Sequence, residues 1–253
     1  DSVLFSKHIP YHQAKDLIEK LESLANIYFV SRLKHIYSVP VDRTDNKQVF
    51  YNIGILDEAI QKRRKVSFEY AEYHVDKKMH LKRREDGTIR IYVVTPYQMA
   101  AQEGKYYLIC NYDKYNDISN YRVDRIRNIQ LLETEGKPFE SLRGSKNQSL
   151  NLAEYMKTHI YMYSSEMVFV KYRIVKAMVS DVIDIFGKEI TFSEETETHV
   201  SVSVYVNERA AVQFAKNYAP DVILLQPKRL RNQLQQDMKK SLAAYEEQED
   251  FGK

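Results

Sequence analysis

Three arginines fall within six residues, Arg122, Arg125 and Arg127, in the stretch SNYRVDRIRNI. Just ahead of them runs GKYYLICNYD, and ten of the chain's twenty tyrosines lie between Tyr51 and Tyr121. A guanidinium fork binds phosphate through parallel hydrogen bonds, and a tyrosine face stacks a nucleobase. Both on one small sheet suit a pocket for a nucleotide or for single-stranded nucleic acid. Strand alternation through NYRVDRI puts Arg122 and Asp124 on one face and Val123 and Arg125 on the other. Ile126 breaks that order, so a bulge or turn at 124–126 is expected to bring the arginines toward one side. A structural alternative stands beside this: Asp124 pairs with an arginine, Arg125 before Arg122, and pins a strand turn. Tyr70 is in phase with Val66 and Phe68 and can equally be core. Tyr106 and Tyr107 must face opposite ways, and Tyr97, next to Pro96, belongs at a bend.

Other chemistries have little to work with. The seven histidines are scattered, without a paired spacing and a third ligand, and His74 and His80 sit among cations. No metal is expected. Cys110 is the single cysteine, inside a strand-like alternation, and reads as a buried structural thiol. There is no Gly-x-Ser-x-Gly elbow, and seven glycines form no phosphate loop ahead of a helix. The carboxylates of SEETETHV read as a solvated hairpin turn. The chain is therefore expected not to be an enzyme and to need no cofactor.

The elements that must position the arginines follow from periodicity. Leu17, Leu21, Leu24 and Tyr28, continued by Leu33 and Ile36, predict a helix over 11–37 beginning at Pro10. NIGILDEAIQKRRK predicts a second, with Ile53, Leu56 and Ile60 as its stripe and the basic run 62–65 as its last turn, at the negative end of the helix dipole. From 65 to 132 the period becomes two, in VSFEY, MHLKRR, IRIYVV, TPYQM, KYYLICNY, ISNYRV and RNIQLLE. So many short strands are expected to curl into a small antiparallel barrel, because closure removes exposed edges. A polar linker follows, then a short helix, LAEYMKTH. Beyond it MVFVKYRIV, AMVSDVIDIFG, EITFSEE, HVSVSVYV, ERAAVQFAKNYA and VILLQP read β-α-β-β-α-β, the ferredoxin-like split pattern. A last helix over 227–246 carries Leu230, Leu234 and Met238. Gly187 is expected as a helix C-cap.

At 253 residues, with 43% hydrophobic and 29% charged, the chain suits about two domains. The net charge is only +3, but Gln61–Arg90 holds ten Lys and Arg against five acids, and Asp181–Val200 six acids against one lysine. Such asymmetry places an anion near the first region. No apolar run reaches membrane-spanning length and no signal peptide is present, so the cytoplasm is expected. The start at Asp1, running almost directly into helical pattern, reads as that of a fragment. The helix stripe Leu230, Leu234, Met238 and the long linker suggest a homodimer.

GKYYLICNYD and YRVDRIRNI, preceded by VSFEY and VVTPYQM, resemble the WYL domain of bacterial transcription regulators. The name-giving Trp-Tyr-Leu run reads Tyr106-Tyr107-Leu108 here. The approach ILDEAIQKRRKVSFEY resembles the entry to that domain, and residues after 165 resemble its C-terminal extension, WCX. The resemblance implies an α+β chain: a helical connector over 1–51, an Sm-like β-barrel that senses a ligand over 52–133, a linker with a short helix over 134–165, and a ferredoxin-like domain over 166–247. It implies DNA binding through an N-terminal winged helix-turn-helix outside this chain, and a nucleotide or nucleic-acid effector in a basic, tyrosine-lined pocket. By motif position its ligand-binding residues are Tyr70, Tyr97, Arg122 and Arg125, then Ser67, Tyr92, Tyr107 and Ser119. The leading expectation is thus the sensing and dimerising part of a regulator. Two others stand against it: a stand-alone accessory protein binding single-stranded RNA or DNA, and an enzyme acting on nucleotides.

Overall fold

The computed structural model describes residues 3, 6, 7, 9–24, 46–143 and 149–249, and the chain divides into two units, Asp1–Leu150 and Asn151–Lys253. Helix α1 spans Tyr11–Ser23 and follows Pro10, as expected. It is shorter than the expected 11–37, and the part from 25 onward lies outside the described residues. Its leucines do not form a core face: Leu17, Leu21 and Leu24 are exposed, and Ala14 is the buried position.

Helix α2 spans Val49–Gln61. It buries Val49, Asn52, Leu56 and Ala59, a stripe turned away from the expected Ile53 and Ile60, which are half-buried. The helix ends before the basic run. Arg63 takes a left-handed φ of 52° and swings the chain into the first strand, so residues 62–65 are a turn and a strand start, not a final helical turn.

Six antiparallel strands follow: β1 Arg64–Tyr73, β2 Met79–Leu81, β3 Ile91–Gln102, β4 Lys105–Tyr112, β5 Ile118–Arg122 and β6 Ile126–Glu135. Strand β1 pairs with β3, with β6 and, at its far end, with β2; β3 pairs with β4 and β4 with β5. Val66, Phe68, Tyr92, Val94, Leu108 and Cys110 alternate onto one face and pack with α2, Val123 and Ile126. Two devices shape the sheet. At the β3–β4 hairpin, Glu103 and Gly104 both take positive φ, the two-residue turn whose twist matches the strands. In β6, Asn128 takes φ 51° at a register shift against β1, a bulge that bends the strand. Pro96 marks a second bulge within β3; the strand runs on through it.

The sheet does not close into a barrel. Strands β5 and β6 make no ladder, because the 3₁₀ turn Val123–Arg125 stands between them. Closure is replaced by side chains. Asn46 Nδ2 donates to the carbonyls of Asp124 (3.0 Å) and Ile126 (3.2 Å), and Asn52 Nδ2 donates to those of Ile126 (3.1 Å) and Val123 (3.5 Å). Backbone groups that a neighbouring strand would satisfy are met by two asparagines instead.

The second unit begins with helix α3, Leu152–Thr158, and continues β7 Met167–Val175, α4 Val179–Phe186, β8 Thr191–Ser193, β9 His199–Asn207, α5 Glu208–Asn217, β10 Val222–Gln226 and α6 Lys228–Glu249. The sheet order is β10-β7-β9-β8, antiparallel throughout. Gly187 ends α4 at φ 81°, its N–H returning to the Ile183 carbonyl at 2.8 Å, as expected of a C-cap. The core holds Val170, Tyr172, Val202, Phe186, Phe214 and Leu224, and Tyr172 donates its hydroxyl to the Ala211 carbonyl at 3.0 Å. Leu230 and Leu234 of α6 belong to that same core, whereas Met238, Leu242 and Tyr245 further along are exposed. Among the described residues no helix is long and apolar enough to cross a membrane.

Candidate functional site

The three arginines of YRVDRIR divide their work at the open end of the first sheet. Val123 and Ile126, three apart, are both fully buried, which suits the three-residue repeat of a 3₁₀ turn and explains the break in alternation. Arg122, the last residue of β5, forks onto Asp124: Nε to Oδ1 at 3.0 Å and Nη2 to Oδ2 at 2.7 Å. Burial opposes the charge of Arg122, but the Asp124 carboxylate more than offsets it and holds the guanidinium above its ordinary value. Arg127 Nη1 donates to the carbonyls of Asp124 (2.7 Å) and Ile126 (3.0 Å), tying down the far side of the turn. Arg125 is the one left over. Its Nε is buried and has no hydrogen-bond partner among the described residues. The ion pair expected at Asp124 exists, but it falls to Arg122 and leaves Arg125 available, the reverse of the expected preference.

Tyrosines frame this turn. The Tyr70 hydroxyl accepts the Arg122 N–H at 3.1 Å. Burial raises the Tyr70 phenol, and the Arg122 hydrogen bond and the Arg125 charge pull the other way. Tyr107 of β4 lies directly opposite Arg122 in the ladder, and it too is raised by burial against the charges of Arg122 and Arg125. Lys105, two residues before Tyr107, is held below its ordinary value, first by burial and then by the charges of Arg122 and Lys7. Cations therefore crowd this corner beyond what Asp124 and Glu103 neutralise, as an anion site requires.

Four of the eight residues expected at the site, Tyr70, Tyr107, Arg122 and Arg125, thus meet at the turn. The others lie elsewhere in the first unit. Tyr92 is 4% exposed, stacked on Phe68 at 5.7 Å, and covered by the Arg90 guanidinium 4.8 Å above its ring; it reaches Tyr70 edge-on at 6.1 Å. Tyr97 sits at the Pro96 bulge, donates to the Lys137 carbonyl at 2.9 Å and meets Phe139 edge-on, so it anchors the chain after β6. The β4 residues flanking it in the ladder, Ile109 and Cys110, are two and three residues from Tyr107, about 7–10 Å along the strand. Ser119 pairs with Cys110, whose buried thiol donates to the Ser119 carbonyl at 3.5 Å. Ser67 lies between Val66 and Phe68 and so points to the face opposite the aromatic core. Sequence reasoning missed Lys105, Asn46 and Asn52. Asn52 had a signal, an amide on the apolar stripe of α2; Asn46 and Lys105 carried none.

The arrangement matches a known module. Residues 52–131 match the family model of the WYL domain. Over these 80 residues the chain is similar to the WYL domain family. The match spans α2 through most of β6 and so includes the Arg122–Arg127 turn. None of the curated proteins matches the chain. Among the solved structures similar to it are these two. One is the Proteasome accessory factor B/C (PafBC) of Arthrobacter aurescens, at 12% identity and a TM-score of 0.34, covering 79% of this chain and 28% of that one. The other is a CRISPR Cas-related protein, at 13% identity and a TM-score of 0.46, covering 81% of this chain and 56% of that one. This chain therefore spans only about a quarter and about half of those two chains.

Among the described residues no group of histidines, cysteines and carboxylates could hold a metal. His74 and His80 stack at 4.4 Å, and His80 Nε2 lies 2.7 Å from Asp76 Oδ2, on the exposed β1–β2 hairpin.

Proposed function

We propose that the WYL domain of this chain senses an anionic ligand, a nucleotide or a short single strand of nucleic acid, and that the chain is the sensing part of a transcription regulator. The observation that carries this reading is Arg125: a guanidinium with a buried, unpartnered Nε, whose charge acts on the half-buried Tyr70 and Tyr107 in a corner with surplus positive charge. A buried unpaired donor is costly, and a phosphate oxygen would satisfy it. In this reading Arg125 contacts phosphate. Arg122 stays on Asp124 and holds the turn in shape, because displacing it would bring Asp124 against the incoming phosphate. Tyr70 and Tyr107 line the ligand, and Lys105 adds long-range attraction. DNA contact belongs to a winged helix outside this chain, as the family resemblance implies.

The β-α-β-β-α-β order and the β10-β7-β9-β8 pairing support a ferredoxin-like, WCX-type reading of residues 166–247. The exposed apolar side chains of Met238, Leu242 and Tyr245 on α6 support the reading of a homodimeric regulator.

The test is binding of a fluorescein-labelled dT12 oligonucleotide and of ATP by the purified chain, for wild type, Arg125→Ala and Arg122→Ala. Arg125→Ala is expected to weaken binding by about 1–3 kcal/mol and to reduce the salt slope by about one. Arg122→Ala is expected to act mainly on stability. Arg125→Ala binding like wild type, with an unchanged salt slope, sinks the reading.

A further inference from the structure

The sheet of the second unit has one face covered and one bare. Val170, Tyr172 and Ile174 of β7, with Val200, Val202 and Val206 of β9, pack into the core with Phe214 of α5 and Leu230 of α6. Alternation sends Phe169, Lys171 and Arg173 the other way, and their ladder partners on β9 are Tyr205, Ser203 and Ser201. Phe169 is 74% exposed and Tyr205 45% exposed, and their rings meet with centroids 4.6 Å apart, tilted by 40°. In the order β10-β7-β9-β8 these are the two central strands, so the pair stands at the middle of the open face.

We propose that this face is a second binding surface, on which Phe169 and Tyr205 stack the bases of single-stranded nucleic acid. The two rings lie on the first and third strands of a β-α-β-β-α-β unit, which is where a four-stranded sheet stacks two or three unpaired bases in RNA-recognition domains. Water is a poor environment for two adjacent exposed rings, and a base offers each a π-face without demanding a sequence. Charge favours the same occupant. Arg173, four residues from Phe169 on the same face, makes no ion pair among the described residues and lies about 13 Å along the strand, placed for backbone phosphate. A second protein chain fits less well: a stable interface covers about 800 Å² per partner around an apolar centre, and here two rings are bordered by Lys171, Arg173 and the serines.

One side of the face is guarded. Glu194 Oε1 binds Lys171 Nζ at 2.5 Å, and its Oε2 accepts the Ser201 hydroxyl at 2.8 Å. The carboxylate both neutralises Lys171 and repels phosphate, so the backbone of a strand stacked on the two central strands keeps away from β8. This surface does not depend on the Arg125 site, and it adds to that reading a second place for the same ligand chemistry.

The experiment uses the whole chain and fluorescein-labelled dT12 and rU12, read by anisotropy across a salt series. Wild type is expected to bind at least one of the two. Phe169→Ala and Tyr205→Ala should each weaken binding by roughly fivefold or more, the range of one lost stacking contact. Phe169→Tyr should keep affinity, Arg173→Ala should lower the salt slope by about one, and Glu194→Gln should tighten binding. Both rings are exposed, so thermal melting should be unchanged and loss of fold is separable. The Phe169→Ala effect should persist in an Arg125→Ala background; its disappearance there would mean a single site and overturn the proposal. Wild-type affinity in Phe169→Ala and Tyr205→Ala, or no binding of either probe by wild type, overturns it too. So does a shift from dimer to monomer in sedimentation with oligonucleotide affinity unchanged, which would assign the face to a second copy of the chain.

Discussion

In the first sheet Phe68, Tyr92 and Tyr121 meet with centroids 5.4–5.7 Å apart and turn inward onto Leu108 and Cys110; in the second, Phe169 and Tyr205 meet at 4.6 Å and turn outward. Both are aromatic clusters on neighbouring antiparallel strands. Their surroundings give them different work. Rings that exclude water from a core contribute to stability through the area they bury. Rings left in water contribute little to folding and remain available to a ligand. Tyrosine-rich sequence does not separate these cases; the facing of each residue in its strand does.

The largest expected effect tests that contrast directly. Phe68 is fully buried, and Phe68→Ala is expected to lower unfolding stability by about 3–5 kcal/mol, the range for deleting a core phenyl ring. Phe169→Ala is expected to stay within about 0.5 kcal/mol of wild type, as exposed positions do. Urea titrations of the two variants measure both. Similar losses would show that the exposed pair belongs to a structural core and would break the comparison.

A second contrast lies inside the turn, between an arginine with a partner and one without. Asp124→Ala removes both acceptors of the Arg122 fork, and their partly buried position (22% and 12% side-chain exposure) leaves an expected loss of about 1–2 kcal/mol. Arg125→Ala is expected to be stability-neutral within about 0.5 kcal/mol, or slightly stabilising, because it removes an unpartnered buried donor. Ligand affinity should rank the two the other way round, with Arg125→Ala the more damaging. Melting curves and oligonucleotide titrations on the same preparations test the crossing; two variants that track together in both would refute the division of labour.

Sequence reasoning reached different depths in these two regions. Strands β1 and β9 were legible because apolar residues alternate cleanly there, β4 and β10 as short apolar runs, and the turn at 124–126 was legible because Ile126 falls out of phase. The pairing at Asp124 was legible as a possibility but not as to partner, since choosing between Arg122 and Arg125 needs the 3₁₀ geometry that sets the carboxylate against the end of β5. The open barrel was not legible. Closure was expected from the need to protect edges, and the substitutes are Asn46 and Asn52, far away in sequence from the carbonyls they serve. Tyr97 read as a ligand residue by motif position, while the structure ties its hydroxyl to Lys137. Ladder register with Tyr107 and the charge on Lys105 are long-range facts that no local pattern carries.

The smallest expected effect concerns pH and sharpens the contrast in how buried ionisable groups are handled. In the first unit the half-buried guanidinium of Arg122 keeps its charge by pairing with Asp124. In the second, His159 is buried against Tyr155, ring on ring at 3.8 Å, with Nδ1 3.0 Å from the Tyr155 carbonyl. Burial holds its imidazole below the ordinary value of 6.5, and the bond to Tyr155 only partly opposes this. The folded chain therefore favours the neutral ring, while the unfolded chain takes up a proton near 6.5. The stabilisation is fully present above that pH and is lost as pH falls from there through the lower folded value. His159→Phe keeps the stacking and removes the titration. The melting temperature of wild type should fall more steeply than that of His159→Phe between pH 7 and pH 5, with the carboxylates common to both cancelling in the difference. Parallel curves for the two proteins would mean that His159 is as free to protonate in the fold as in the unfolded chain.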